Sequence, residues 1–392
     1  MQKKEWKNKS RRAFACLTAA LMLEGTAVFP ALASPEFARS AEEWAQLQDN
    51  KLEWNEIAGL VHEYNATVLN NQKAFQKDSG QDAEEYRNAL LDAADDMDEL
   101  ASEAEGSSDG GSMMAVNYRI QAEQFRSQAD SNVFDSDVIR WQYDQAEASI
   151  VQSVQTNFIG YYQAIEEKKG NEAKIPYLEQ AYQSAVNKKN VGAGTELDVL
   201  TAQENLQTAQ AALLSADSSI SSYQKKLQVL CGWKYDAQAE IGALPEYDMS
   251  KIAEIDLAAD TEKALANNYQ LRIDERKLKN APDSTLHDQY QKTVDNDRQQ
   301  IRASVKSAYD ALVLAKSDYD TAEAELSLKR QNLEKTNRQY ALGTISRMEQ
   351  AAAENEVTTL ENALRLKGIA VFSAQTAYDS AVNGLASTGS GS

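Results

Sequence analysis

Apolar side chains recur at every seventh residue along two stretches of the chain. In the first, Val199, Leu206, Leu213, Ile220 and Leu227 form one row, with Ala202, Ala209, Ala216, Tyr223 and Leu230 beside it. In the second, Val305, Leu312, Tyr319, Leu326, Leu333 and Tyr340 run alongside Ala308, Ala315 and Ala322. A seven-residue period held this long is narrower than the stripe of an ordinary globular helix. It predicts helices that pair along their whole length with left-handed supercoiling, and the alanines let the two backbones approach closely.

The two stretches belong to an internal duplication. Residues 191–203 align with residues 342–354 at a constant offset, which superimposes Gly192 on Gly343 and Asp198 on Glu349. Gly192, Gly194 and Gly343 mark tight turns between an arriving and a departing helix, and the departing helices end near Gly232 and Gly384. The first arriving helix is expected to begin after the Gly/Ser-rich residues 105–112. Its apolar rows (Val151, Phe158, Ile165; Val154, Tyr161) change phase near Gly170 and Pro176, which predicts a kink. Upstream, 41–77 and 81–104 read as two helices broken around 78–80. Downstream, 232–249 is an irregular crossing, 256–279 a helix, and 280–284 a break before the second arriving helix. The expected organisation is a signal peptide at 1–33, a first helical-hairpin repeat at 34–251 turning near 190–195, a second at 252–385 turning near 341–345, and a disordered tail at 386–392. The fold class is all-α, built from long antiparallel helical hairpins in two repeats.

Composition agrees, with only 5 Pro and 17 Gly in 392 residues, so helix breakers are scarce. The net charge of −20 sharpens the picture. Lys3, Lys4, Lys7, Lys9, Arg11 and Arg12 against Glu5 and Glu24 leave the first 33 residues basic, so the remainder is more acidic still. Such a chain repels nucleic acid and anionic surfaces, which excludes nucleic acid as a partner. The basic start, an apolar run from Ala13 to Phe29 and the Ala31-Leu32-Ala33 site predict export with cleavage after Ala33. The general secretory route and the twin-arginine route, suggested by Arg11-Arg12, both remain open. No later stretch is apolar and long enough to span a membrane as a helix. Cys16 lies in the signal and Cys231 stands alone, so no intrachain disulfide can form in the mature chain.

The two glycine turns, the run from Asp198 to Gln203, the Ala-rich heptads, and Asn268 to Leu271 with its counterpart Asn65 to Val68 resemble the TolC-type outer-membrane efflux family. The resemblance spans roughly residues 41 to 385. It implies a TolC-like α-barrel protomer and a homotrimer whose hairpins close into a tube. It also implies partnership with a membrane-fusion adaptor and an inner-membrane pump, a role as exit duct, and a place in the outer membrane or cell envelope. By position, Asp198 and Glu349 would supply the acidic ring at the narrow entrance; the same carboxylates also suit a helix start, where the helix dipole favours them. One feature departs from the family. Members that pierce an outer membrane insert two β-strands per repeat, each needing about 9–11 alternating residues. The gaps at 105–112 and 280–284 have no room for them, so the expected protomer lacks an evident membrane β-barrel.

Catalytic chemistry is not expected. His62 and His287 are far apart, and no phosphate loop, dinucleotide fingerprint, nucleophile elbow or Cys-x-x-Cys pair occurs. The carboxylate run from Asp92 to Glu99 lacks a calcium-loop glycine and reads as a solvated helix face. Trp44, Trp54, Trp141 and Trp233 read as packing anchors. No catalytic residue, cofactor or metal ligand is assigned. The rival to a duct is an extracytoplasmic coiled-coil scaffold or spacer without transport activity; the two differ in oligomeric state and hollowness. An adaptor role would call for strand-rich domains that the sequence lacks.

Overall fold

The computed structural model describes residues 39–106, 111–246 and 249–389, so the expected signal peptide lies outside the described residues. In chain order these form α1 (Ala41–Leu47), β1 (Lys51–Leu52), a short 3-10 turn (Trp54–Glu56), α2 (Ile57–Tyr64), α3 (Ala66–Asp78), α4 (Ala83–Glu105), α5 (Gly111–Asp130), α6 (Ser136–Asn190), α7 (Glu196–Leu230), β2 (Glu240–Ile241), a 3-10 segment (Met249–Glu254), α8 (Leu257–Asn267), α9 (Tyr269–Asn280), α10 (Ser284–Ala341), α11 (Arg347–Ser380) and a π-turn (Ala381–Leu385). The expected all-α class and duplicated hairpins are present. Among the described residues the sheet consists only of β1 and β2, which pair in parallel across the first repeat.

Two long hairpins dominate, α6 with α7 and α10 with α11. α10 has 58 residues, roughly 85 Å of helix. The seven-residue rows lie where the periodicity places them. Val199, Ala209, Ala216 and Leu227 are buried on α7, as are Val305, Leu312 and Leu326 on α10. Their neighbours Leu200, Leu214, Leu314 and Leu328 are more than half exposed. Burial thus follows the seam rather than hydrophobicity alone, and each fully buried Leu contributes about 1.5–3 kcal/mol.

The repeats pack side by side along α6 and α11. Ile159, Ile369 and Phe372 form a shared core into which Trp54 inserts, its ring 5.5 Å from Phe158 and 4.8 Å from Phe372. α6 runs unbroken through Pro176, so the phase change does not end or divide the helix. Gly170 faces the second repeat, because a Cβ there would overlap the Asn362 side chain of α11.

Three expectations are corrected. The arriving helix of the first repeat begins at Ser136, not after residue 112. Residues 111–130 instead fold back on α4, with Ala94, Met97 and Ala122 in the seam and Tyr118 and Phe125 packed against it. Asp135 makes the break: its side chain accepts the Val138 N–H at 2.9 Å as N-cap of α6. The second correction concerns residues 41–77, which form three helices and a strand rather than one helix. Ser40 caps α1 with a capping box, and Asn65 caps α3 through the N–H groups of Thr67 and Val68. Thirdly, the tail is packed as far as residue 389. Ala386 joins the second-repeat core, and the Ser387 N–H donates to Ser304 Oγ at 3.1 Å.

α4 and α5 therefore fill the gap between α3 and α6 with a helical hairpin. The equivalent gap in the second repeat, between α9 and α10, holds three residues. No helix among the described residues is long and apolar enough to cross a membrane.

Candidate functional site at the hairpin turns

The two turns are built alike. At the end of α6, the Ala193 N–H donates to the Lys188 carbonyl at 2.8 Å and the Gly192 N–H to that of Lys189 at 3.0 Å. At the end of α10, the Thr344 N–H donates to Gln339 at 3.0 Å and the Gly343 N–H to Tyr340 at 2.9 Å. This paired pattern needs a left-handed residue after the helix, and Gly192 and Gly343 both have φ of 72°. Gly194 has a different reason to be glycine: a Cβ would stand 3.0 Å from that of Lys188, against the last turn of α6.

The departing helices start alike too. Thr195 Oγ1 accepts the Asp198 N–H at 3.1 Å, and the Asp198 carboxylate accepts the Thr195 N–H at 2.7 Å. Ser346 Oγ accepts the Glu349 N–H at 3.2 Å, and Glu349 accepts the Ser346 N–H at 2.7 Å. These are reciprocal capping boxes. The backbone N–H of Thr195 holds the Asp198 carboxyl below its usual range, and that of Ser346 does the same for Glu349. Both carboxylates are exposed and anionic, and Lys188 lowers both, so its charge reaches the two turns at once. A groove of about 680 Å³ lies between α6 and the second turn, lined by Pro176, Gln183, Lys188, Val191 and Met348 among others.

Inspection of the sequence did not single out the apolar side chains at this end. Val191, Leu197 and Leu342 are 70–79% exposed, and Leu200 follows one turn into α7. Val191 and Leu342 occupy equivalent positions, immediately before Gly192 and Gly343; the duplication itself was the available signal.

Elsewhere the candidate chemistry resolves into structure. His62 Nδ1 lies 2.9 Å from Glu147, and this hydrogen bond raises the imidazole pKa. From the carboxylate run on α4, Asp95 and Asp98 pair with Arg126 of α5. Among the described residues no three His, Cys, Asp or Glu side chains converge as a metal site. Cys231 is buried in the first-repeat core, and burial pushes its thiol up to about 12.

Where the departing helices of the two repeats end, one joint is built twice. The Asn65 amide donates to the Leu230 carbonyl at 2.8 Å, and the Asn268 amide to the Ala386 carbonyl at 2.8 Å. Gly232 and Gly384, both left-handed, lie where a Cβ would strike the carbonyl oxygens of Tyr64 and Asn267. The Asn segments and closing glycines noted in the sequence are thus the two halves of a repeated lock.

Two tandem helical hairpins with matched turns and matched locks make up the fold. Residues 94–232 match the family model described as outer membrane efflux protein. The chain resembles that family in sequence over this segment and in fold over most of its length. A membrane protein from Pseudomonas aeruginosa is similar at 12% identity and a TM-score of 0.56, over 92% of this chain and 97% of that one. CusC, described in terms of transmembrane channel formation, is 13% identical with a TM-score of 0.53, covering 92% and 99%. The outer-membrane channel OprN is 13% identical with a TM-score of 0.52, covering 93% and 97%. At these identities the likeness is one of fold. No curated protein matches the sequence.

Proposed function

We propose that the chain is the exit-duct component of a multipart export system in the cell envelope. The observation that carries this reading is the equivalence of the two hairpins. A chain with two like hairpins offers like seams on either side, and a homotrimer would close six of them into a tube. The fold neighbours described as channels support the same use.

The turn end is the face for partners in this reading. Val191, Leu197 and Leu342 leave apolar surface in water beside polar caps, the arrangement expected of a docking tip. An adaptor bridging to an inner-membrane pump would cover it. Asp198 and Glu349 of three copies would then bring six carboxylates to the narrow end, favouring entry of cations. Their capping role and a ring role are compatible, since each carboxylate uses one oxygen on the backbone N–H of its box.

The membrane end differs from a strand-bearing duct, because a helical hairpin and a three-residue turn occupy the two gaps. The reading therefore places the protein in the envelope by its export signal and its partners, with the α4–α5 hairpin in the place of one strand pair.

Mass measurement and negative-stain imaging of the mature protein test the proposal. A hollow trimeric tube is the expected result. A monomer, or a solid bundle that stays so when a candidate adaptor is added, would sink the duct and favour the scaffold.

A further inference from the structure

Asp297 occupies a core position of α10. It lies between Val294, 1% exposed, and Ile301, fully buried, and its own side chain is fully buried. Neither of its carboxylate oxygens receives a hydrogen bond from any donor among the described residues. The group facing it is another acid, Asp274 of α9, itself 3% exposed. Asp274 is supplied on both sides: Gln270 donates to its Oδ2 at 2.6 Å and Lys277 Nζ to its Oδ1 at 3.4 Å.

The charge balance is short by one. With both acids ionised, Lys277 neutralises a single negative charge, and Asp297 would be a buried, unpaired anion, which proteins avoid by changing protonation state. The charges that act on Asp297 come from α9, as repulsion from Asp274 and weaker attraction from Lys277. On its own helix, Asp295 and Arg298 point outward and pair together with Glu275. Tyr290 stands near Asp274, and Asp274 helps to raise the phenol pKa beyond what burial does. Burial first, and Asp274 second, push the Asp297 carboxyl up to about 7. The packed tail at 386–389 brings no charge to this stretch of α10.

We propose that Asp274 and Asp297 form a binding site for one proton, carried by Asp297 and donated to Asp274, which closes the joint between α9 and α10 and loosens it when lost. The site sits at the end of the molecule where α9 also grips α6: Arg276 lies 2.6 Å from Asp135, and Asn280 donates to the same carboxylate at 2.8 Å. Loosening α9 from α10 therefore acts on the contact between the two repeats. A group whose folded pKa is raised contributes stability below its unfolded pKa, near 4, and loses it as pH rises through the folded value. The joint is accordingly tight in mild acid and slack above neutrality.

The full mature chain and its Asp297→Asn variant, which keeps a donor and removes the charge, are unfolded thermally between pH 5 and pH 8.5. Asp295→Asn serves as the exposed control. His62, whose pKa is raised by its hydrogen bond to Glu147, is common to both proteins, so the difference between them isolates the site. Tm of the wild type should fall relative to Asp297→Asn as pH rises, by about 2 °C or more, while Asp295→Asn tracks the wild type. A carboxylic-acid infrared band present at pH 6 and missing from Asp297→Asn completes the expected result. Parallel Tm profiles would overturn the proposal. So would stabilisation of the wild type, but not Asp297→Asn, by magnesium or calcium at pH 8.5, since the pair would then hold a metal cation. If Asp297→Asn fails to fold, the wild-type band decides, and its absence at pH 6 overturns the assignment.

Discussion

Asn362 of α11 lies over Gly170 of α6, and its amide donates to the Glu166 carbonyl at 2.7 Å. That contact helps to join the two repeats at mid-length, beside the Ile159, Ile369 and Phe372 core. It works because Gly170 has no Cβ, which would otherwise lie 2.1 Å from Oδ1 of Asn362. Gly368, where α11 meets α10, has only Tyr319 at 3.7 Å from a Cβ, an ordinary contact.

Gly170→Ala should therefore destabilise the protein, by about 1–3 kcal/mol of overpacking set against the better helix propensity of alanine. Gly368→Ala should be neutral or stabilising, by up to about 1 kcal/mol. Urea unfolding of the two variants checks the difference, and equal shifts would mean that α6 and α11 do not meet at Gly170.

The seam makes a second prediction. Leu312 is fully buried in the second hairpin, whereas Leu314, two residues on, is 64% exposed. Leu312→Asp should cost about 3 kcal/mol or more, because a charge would enter an apolar interface. Leu314→Asp should stay within about 0.5 kcal/mol. Thermal melts decide, and a Leu314→Asp loss as large as that of Leu312→Asp would show that the outer face is also buried, as a closed assembly would require.

Gly192 and Gly343 test the duplication of the turns. Each has the same φ and open space around a Cβ, so alanine meets no clash and only the left-handed backbone matters. Both Gly→Ala changes should cost about 1–2 kcal/mol, and by nearly equal amounts. Unequal losses in chemical denaturation would mean that one tip carries a contact beyond its own turn.

The parts that could be read from the sequence were those written locally. The turns announced themselves by Gly192 and Gly343 at matching places of a duplicated segment, and the seams by a seven-residue period. The α4–α5 hairpin was hidden for two reasons. Met113, Val116 and Ile120 leave α5 apolar on its exposed face and blur its period. Its break from α6 rests on Asn132 and Asp135, not on a glycine or proline. Gly170 was visible as a phase change, but its contact with Asn362 was not, since a glycine that admits a side chain from a partner helix carries no mark of that partner in the sequence. Asp297 carried no signal, because an acid at a core position shows only when the helix is packed. At the candidate site, Asp198 and Glu349 could be placed by the duplication alone, whereas the reach of Lys188 to both tips required the folding of α6 against α11.

The last prediction concerns Asp135, which links the repeats at the end opposite the turns. Its side chain is 2% exposed; burial alone would raise its pKa, yet the Val138 N–H, the Asn280 amide and the Arg276 guanidinium hold it below the usual range. Asp135→Asn keeps a good N-cap and removes the charge that Arg276 faces, so it isolates the ion pair from the cap. Breaking a buried pair costs about 3–5 kcal/mol, and Arg276 is a quarter exposed, which puts the expected loss near the lower figure or somewhat under it. Asp135→Ala removes the cap as well and should lose about 1 kcal/mol more. The pH dependence has a definite sign. A carboxylate with a lowered folded pKa contributes its stability above the unfolded value, near 4, and loses it as pH falls through the folded one. Wild type should therefore converge on Asp135→Asn below pH 4, in the opposite direction and at the opposite end of the scale from the effect of Asp297. Guanidinium titrations at pH 7 and at pH 3 measure both. A gap between wild type and Asp135→Asn that persists undiminished in acid would show that Asp135 holds the α6 start by shape and hydrogen bonding rather than by its charge on Arg276.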